Sequence, residues 1–110
     1  MDRRSVIRRY YQCYQDRDRE TIRELLAPDL HHVSSFAEYR DRDEMLEAIW
    51  PAVGQSWAVN LEIFGKDSEF MVRYQVDARE RPSMKMAEYI RFDGDRICEI
   101  EVYVGRRVED

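Results

Sequence analysis

The sequence predicts an α+β domain in which three N-terminal helices pack on a strongly curved, mixed or antiparallel sheet that encloses one pocket. Three observations lead there. Apolar residues recur at spacings of three and four as far as Ile49, then at every second position from Trp57 onward. Short polar turns separate the alternating runs, Asp93-Gly94-Asp95-Arg96 being the tightest signal. A chain of 110 residues builds one core but not two, so a single domain over 1–110 with one main cavity is expected.

The first helix is expected from Arg3 to Gln15, with Val6, Ile7, Tyr10, Tyr11, Cys13 and Tyr14 making one face greasy. After the charged break at Asp16 to Arg19, a second helix carries Ile22, Leu25 and Leu26 and stops before Pro28, which disfavours helical geometry in the preceding residue. Leu30 to Ser34 reads as a short strand. Arg42 to Ile49 reads as the third helix, with Met45, Leu46 and Ile49 on one side and Pro51 closing it. Beyond it, Trp57, Val59, Leu61 and Ile63 alternate with polar or small residues, as do Phe70, Val72, Tyr74 and Val76. The third long strand sets Met84, Met86, Glu88, Ile90 and Phe92 on one parity, and the fourth runs from Ile97 to Val104. Four strands joined by short turns make a meander whose apolar face the helices must cover.

Composition excludes several functions. The chain is 44% hydrophobic and 37% charged, as in an ordinary folded soluble protein. Its net charge is −5, and acids within the same helices match the arginines of the N-terminal region, so nucleic acid is not an expected partner. No apolar run approaches the roughly 18 to 20 residues of a membrane span, and Met1 to Arg4 lacks a signal-peptide core, so no membrane partner and a cytoplasmic location are expected. Cys13 and Cys98 lie far apart in sequence without a neighbouring metal-ligand pattern and read as buried, reduced thiols. His31 and His32 are adjacent and diverge on a strand, and only four glycines are present, none clustered, so neither a metal nor a nucleotide cofactor is expected.

Several strings carry a family resemblance that spans nearly the whole chain. "IRRYYQCYQDRDRETIRELLAPD" resembles the opening helix pair of the nuclear-transport-factor-2-like superfamily, in its SnoaL-like and ketosteroid-isomerase-like branches. "DLHHVSSFAEYRDRDEM" is similar to the family's segment with an aromatic or His on the first strand, its "YRDRD", with Asp41 and Arg42, standing against the usual "YRGRD" entry to helix three. "IRFDGDRICEIEVYVG" looks like the closing hairpin, commonly "F-x-D-G-x-I". The resemblance implies a cone-shaped fold. Against ketosteroid isomerase it puts Tyr10 at the oxyanion-hole tyrosine and Glu88 at the second oxyanion-hole acid, but Ser34 where the general-base aspartate belongs. Steroid isomerisation is therefore not implied.

Glu88 is the most informative residue, because its strand neighbours on the same parity are all apolar. Desolvation disfavours the charged form of a carboxyl group there, which is how sites keep an acid protonated near neutral pH. The other reading is a solvated Glu88 after a bulge, or one paired with an arginine to fix the sheet. His32 shares its strand face with Leu30 and Ser34 and could serve as base, acid or anchor, coupling to Glu88 if the two lie within about 3 Å of each other or of one water; a satisfied strand-end histidine is the plainer alternative. His31, on the other face, is expected to be exposed. Tyr10 needs a partner for its phenol if buried, although Tyr10, Tyr11 and Tyr14 at helical spacing also read as packing. Ser34, Phe36, Trp57, Phe70, Tyr74, Met86 and Ile90 are the expected walls of a mostly apolar pocket for a small hydrophobic molecule.

The outward face of the last strands holds Tyr89, Arg91, Glu99, Glu101 and Tyr103. In the resembling family this surface commonly forms a homodimer, which the resemblance implies here too, with Arg91 and the glutamates meeting across the axis; a solvated face with cross-strand ion pairs is the alternative. Three functions remain open from sequence. They are acid–base chemistry on a small apolar molecule by Glu88, His32 and Tyr10, of isomerase, cyclase or hydrolase type; a non-catalytic ligand-binding or dimeric accessory domain; and an adaptor that recruits another chain through the sheet face.

Overall fold

The computed structural model describes residues 2–108. Helix α1 spans Arg3–Asp16, and Asp2 starts it by accepting the Ser5 N–H at 2.9 Å. It ends at Arg17, whose φ of 56° is the left-handed turn that releases the chain from a helix. Asp18 then caps α2 (Arg19–Leu25) by accepting from Thr21 N at 3.1 Å. The charged run between the helices is thus a stop followed by a start.

Helix α2 is shorter than its apolar spacing suggests. Leu26 already belongs to strand β1 (Leu26–Val33), so Pro28 lies inside a strand instead of ending a helix. The β1 ladder tolerates it through a bulge. Leu26 pairs with Ile97 and His31 with Glu99, leaving the segment around Pro28 outside the regular register. A residue without an N–H fits only such a gap.

A two-residue strand β2 (Glu38–Tyr39), not foreseen from sequence, folds back on β1. Helix α3 occupies Arg42–Ile49 as the periodicity predicts, with Asp41 accepting from Glu44 N at 2.9 Å. A 3-10 turn at Trp50–Ala52 follows, and then come β3 (Ser56–Lys66), β4 (Glu69–Ala78), β5 (Met84–Asp93) and β6 (Arg96–Arg107). The sheet order is β2-β1-β6-β5-β4-β3, antiparallel except where β1 runs parallel to β6. It stays open rather than closing into a barrel, with β2 and β3 as its edges. No described helix is long and apolar enough to cross a membrane.

The three helices cover one face. Val6, Ile7, Tyr10 and Cys13 of α1, Ile22 of α2 and Met45 and Leu46 of α3 form a continuous core with Val72, Ile90, Ile97 and Ile100 of the sheet. The tryptophan-to-isoleucine alternation of β3 does not hold along its length. Val59 pairs with Gln75 but Glu62 with Arg73, so β3 carries one extra residue, and Asn60 takes a φ of 58° at that point. Inward pointing therefore passes from Ala58 to Leu61 and Ile63, which pack on the core, while Trp57 and Val59 share a parity with Asp77 and Gln75.

Candidate functional site

Helix α1 divides the hollow it covers. Its N-terminal end is tied down by Arg3, which donates to the carbonyls of Asp67 and Gly94 at 2.7 and 2.8 Å, and by Arg4, which donates to Ile63 O at 2.8 Å. These guanidinium groups lie over Phe92 and Phe70, whose rings meet edge-on at 5.8 Å. That end is solid. Under the C-terminal end of α1 the hollow stays open, and a pocket of about 290 Å³ remains. Tyr10, Tyr74 and Glu88 form its buried floor, and Gln15, Ala52 and Gly54 lie exposed at its mouth.

Glu88 is 6% exposed and stands mid-sheet, paired with Val72 on one side and Val102 on the other. Tyr74, one pair further along β4, reaches it diagonally and donates its phenolic O–H to Oε2. The Tyr11 hydroxyl is buried beside the same carboxylate without a well-formed hydrogen bond of its own. Tyr10 and Tyr14 join through their hydroxyls at 2.9 Å, and their rings pack edge-on with centroids 5.0 Å apart. Desolvation pushes the Glu88 carboxyl above its ordinary range, and the phenols of Tyr74 and Tyr11 pull it part of the way back. Burial and the Glu88 charge together push all four tyrosines up, so they keep their protons.

His32 also lines the pocket, from β1. Its Nδ1 is buried without a partner, and burial lowers its pKa to about 4, so the ring is neutral at neutral pH. It does not couple to Glu88 by a hydrogen bond. Strand β6 lies between β1 and β5, which separates the two backbones by two strand spacings, roughly 10 Å. The sequence gives no local sign of that separation, because a parallel pairing with a distant strand has no turn to announce it.

The structure therefore assembles Glu88, Tyr10, His32, Tyr74 and Trp57 around one cavity and leaves the other expected wall residues outside it. Ser34 follows the end of β1 and turns its Oγ back to accept N–H bonds from Phe36 and Ala37 at 3.2 and 3.3 Å. Phe36, on that turn, is 88% exposed. Phe70 and Ile90 are consumed by the solid end of the core, and Met86 packs against the core beside its strand partner Tyr74. Cys98 is half-buried instead of buried, with its thiol against Arg91 O at 3.4 Å. His31 is half-buried and bonded to Glu38 at 2.6 Å, not simply exposed. Lining residues that the alternation missed include Ala58, brought inward by the bulge, and Val53 and Gly54 after the 3-10 turn. An asparagine in mid-strand was the available sign of the bulge.

Arg17 shapes the mouth. Its guanidinium donates to Val53 O and, with that of Arg19, lies against the Trp50 ring. Gly54, at φ 97°, sits under the Arg17 side chain, where an added Cβ would be 3.2 Å from Nη1. Among the described residues no cluster of His, Cys, Asp and Glu is arranged to hold a metal.

Solved structures share this architecture at low identity. A proposed polyketide cyclase from Sinorhizobium meliloti superposes with a TM-score of 0.79 at 19% identity, covering 90% of this chain and 94% of that one. A proposed ketosteroid isomerase from Kribbella flavida gives 0.84 at 13%, covering 97% and 80%. A proposed hydroxylase from Streptomyces galilaeus gives 0.76 at 16%, covering 94% and 88%. No curated protein matches the sequence. The family comparison is more direct: residues 7–100 match the SnoaL-like domain, and the chain belongs to that family.

Proposed function

We propose that the protein binds a small, largely apolar molecule in this pocket and moves a proton on it, with Glu88 as the acid–base group. One observation carries the reading: a buried carboxyl group stands at the floor of a mostly apolar and aromatic cavity, held in direction by Tyr74. An acid that burial raises above the ordinary carboxyl range holds its proton more readily and can pass it to a bound ligand. Tyr74 positions it, and the paired Tyr10 and Tyr14 hydroxyls offer a second polar patch for an oxygen of the ligand. Proton transfer of the isomerase or cyclase type needs only this set, whereas hydrolysis would also need a water held against Glu88.

The separation of His32 from Glu88 favours a second reading, a non-catalytic binding domain in which the acid only anchors the ligand. A thermal-shift screen of small apolar metabolites, followed by deuterium incorporation from D2O into each hit, separates the two. Exchange catalysed by the wild type and lost in Glu88→Gln supports proton transfer. Binding without exchange leaves only the anchor, and a screen with no hit removes both.

The outer sheet face is proposed as a homodimer surface. Phe64 and Met71 pair there across β3 and β4, 49% and 37% exposed, and continue into Tyr89 and Glu101 along the same row. Arg91 is already bonded to Glu99 at 2.9 Å within the chain, so apolar contact rather than that ion pair is the proposed source of affinity. Met71→Glu should convert a dimer to a monomer by light scattering; an unchanged mass excludes this face.

A further inference from the structure

We propose that the molecule held in the pocket carries a cationic nitrogen, a protonated amine or a quaternary ammonium, seated among the tyrosine rings and against Glu88. The inference rests on the reading of this cavity as a ligand site and concerns what the ligand brings to it. The walls combine four aromatic rings, Tyr10, Tyr11, Tyr14 and Tyr74, with one carboxylate, and no lysine or arginine lines the cavity. Rings around a cavity present negative faces, and a cation placed among them is attracted by each ring as well as by the acid.

The acid lacks a counter-charge. Around Glu88, α1 contributes the phenols of Tyr10, Tyr11 and Tyr14, β4 contributes that of Tyr74, and the imidazole of His32 on β1 is neutral. All four phenols feel the Glu88 charge, and no described cation offsets it. A carboxylate taken out of water without a partner is costly, and a ligand that supplies the missing positive charge removes that cost on binding. The net charge of −5 further favours a cation over an anion. An anionic ligand, by contrast, would meet a buried acid at the floor, and the Arg17 guanidinium at the mouth is already engaged by Val53 O and the Trp50 ring.

Calorimetric titration of benzyltrimethylammonium against its neutral carbon isostere, neopentylbenzene, tests this directly. The cation should bind about tenfold or more tighter. Glu88→Gln, whose amide oxygen can still accept from Tyr74, should erase most of that preference. On the wild type, titration in buffers of different ionisation enthalpy should show a proton released as the cation binds, a readout that does not depend on any variant folding. Equal affinity for the two compounds, or a preference that survives Glu88→Gln, overturns the cationic nitrogen while the pocket remains a ligand site. If neither compound binds, this inference falls; the ligand-site reading falls with it only if the metabolite screen is also blank.

Discussion

Glu88 and Tyr74 form the smallest unit on which the proposed chemistry depends. Because the Tyr74 hydroxyl lowers the Glu88 pKa against the effect of burial, Tyr74→Phe should move the carboxyl titration further upward, read by carboxyl carbon NMR. A raised folded-state pKa also means that the acid costs stability as pH rises above its ordinary range. Glu88→Gln should therefore raise Tm at pH 8 and show a smaller gain at pH 5, by differential scanning calorimetry. The inward direction of Glu88 was legible in the sequence because β5 alternates without interruption. Its partner was not: the sequence offered His32, and no hydrogen bond joins His32 directly to Glu88 across the strand between them. Tyr11 and Tyr14 were visible as tyrosines at helical spacing, but nothing in that spacing distinguishes a hydroxyl used for packing from one aimed at an acid.

At the scale of elements, the bulge in β3 decides which residues line the pocket. Asn60 tolerates its positive φ where most side chains do not. Asn60→Gly should leave stability nearly unchanged, whereas Asn60→Val should cost about 1 to 2 kcal/mol in urea unfolding, since a β-branched residue is poorly accommodated there. Helices α1 and α3 were readable almost to the residue because the apolar period runs unbroken along both. The end of α2 was not. Leu25 and Leu26 continue a helical stripe, and only the pairing of Leu26 with Ile97 turns the second leucine into a strand residue. Strand β2, two residues long, is defined by its partner alone.

At the scale of the whole molecule, two buried groups set opposing responses to acid. His32 is held neutral with a pKa lowered to about 4 from 6.5, so the unfolded chain binds the extra proton first, and this contribution to stability is lost as pH falls from 6.5 toward 4. The loss amounts to about 3 kcal/mol at most. Glu88 acts in the reverse sense, destabilising as pH rises. His32→Leu should flatten the decline in urea midpoint between pH 6.5 and 4.5, and Glu88→Gln should steepen it; parallel curves for both variants and the wild type would contradict the assignment. The parallel pairing of β1 with β6 has a temporal consequence as well. Apart from the two residues of β2, the first strand has no ladder partner until residues 97–101 are present, so the loop closed by this contact spans most of the polypeptide. On a ribosome, β1 must wait through the synthesis of four other strands before its register can be set. Nascent chains stopped before residue 96 should accordingly remain open to protease at the β1 segment, and protection should arrive in a single late step.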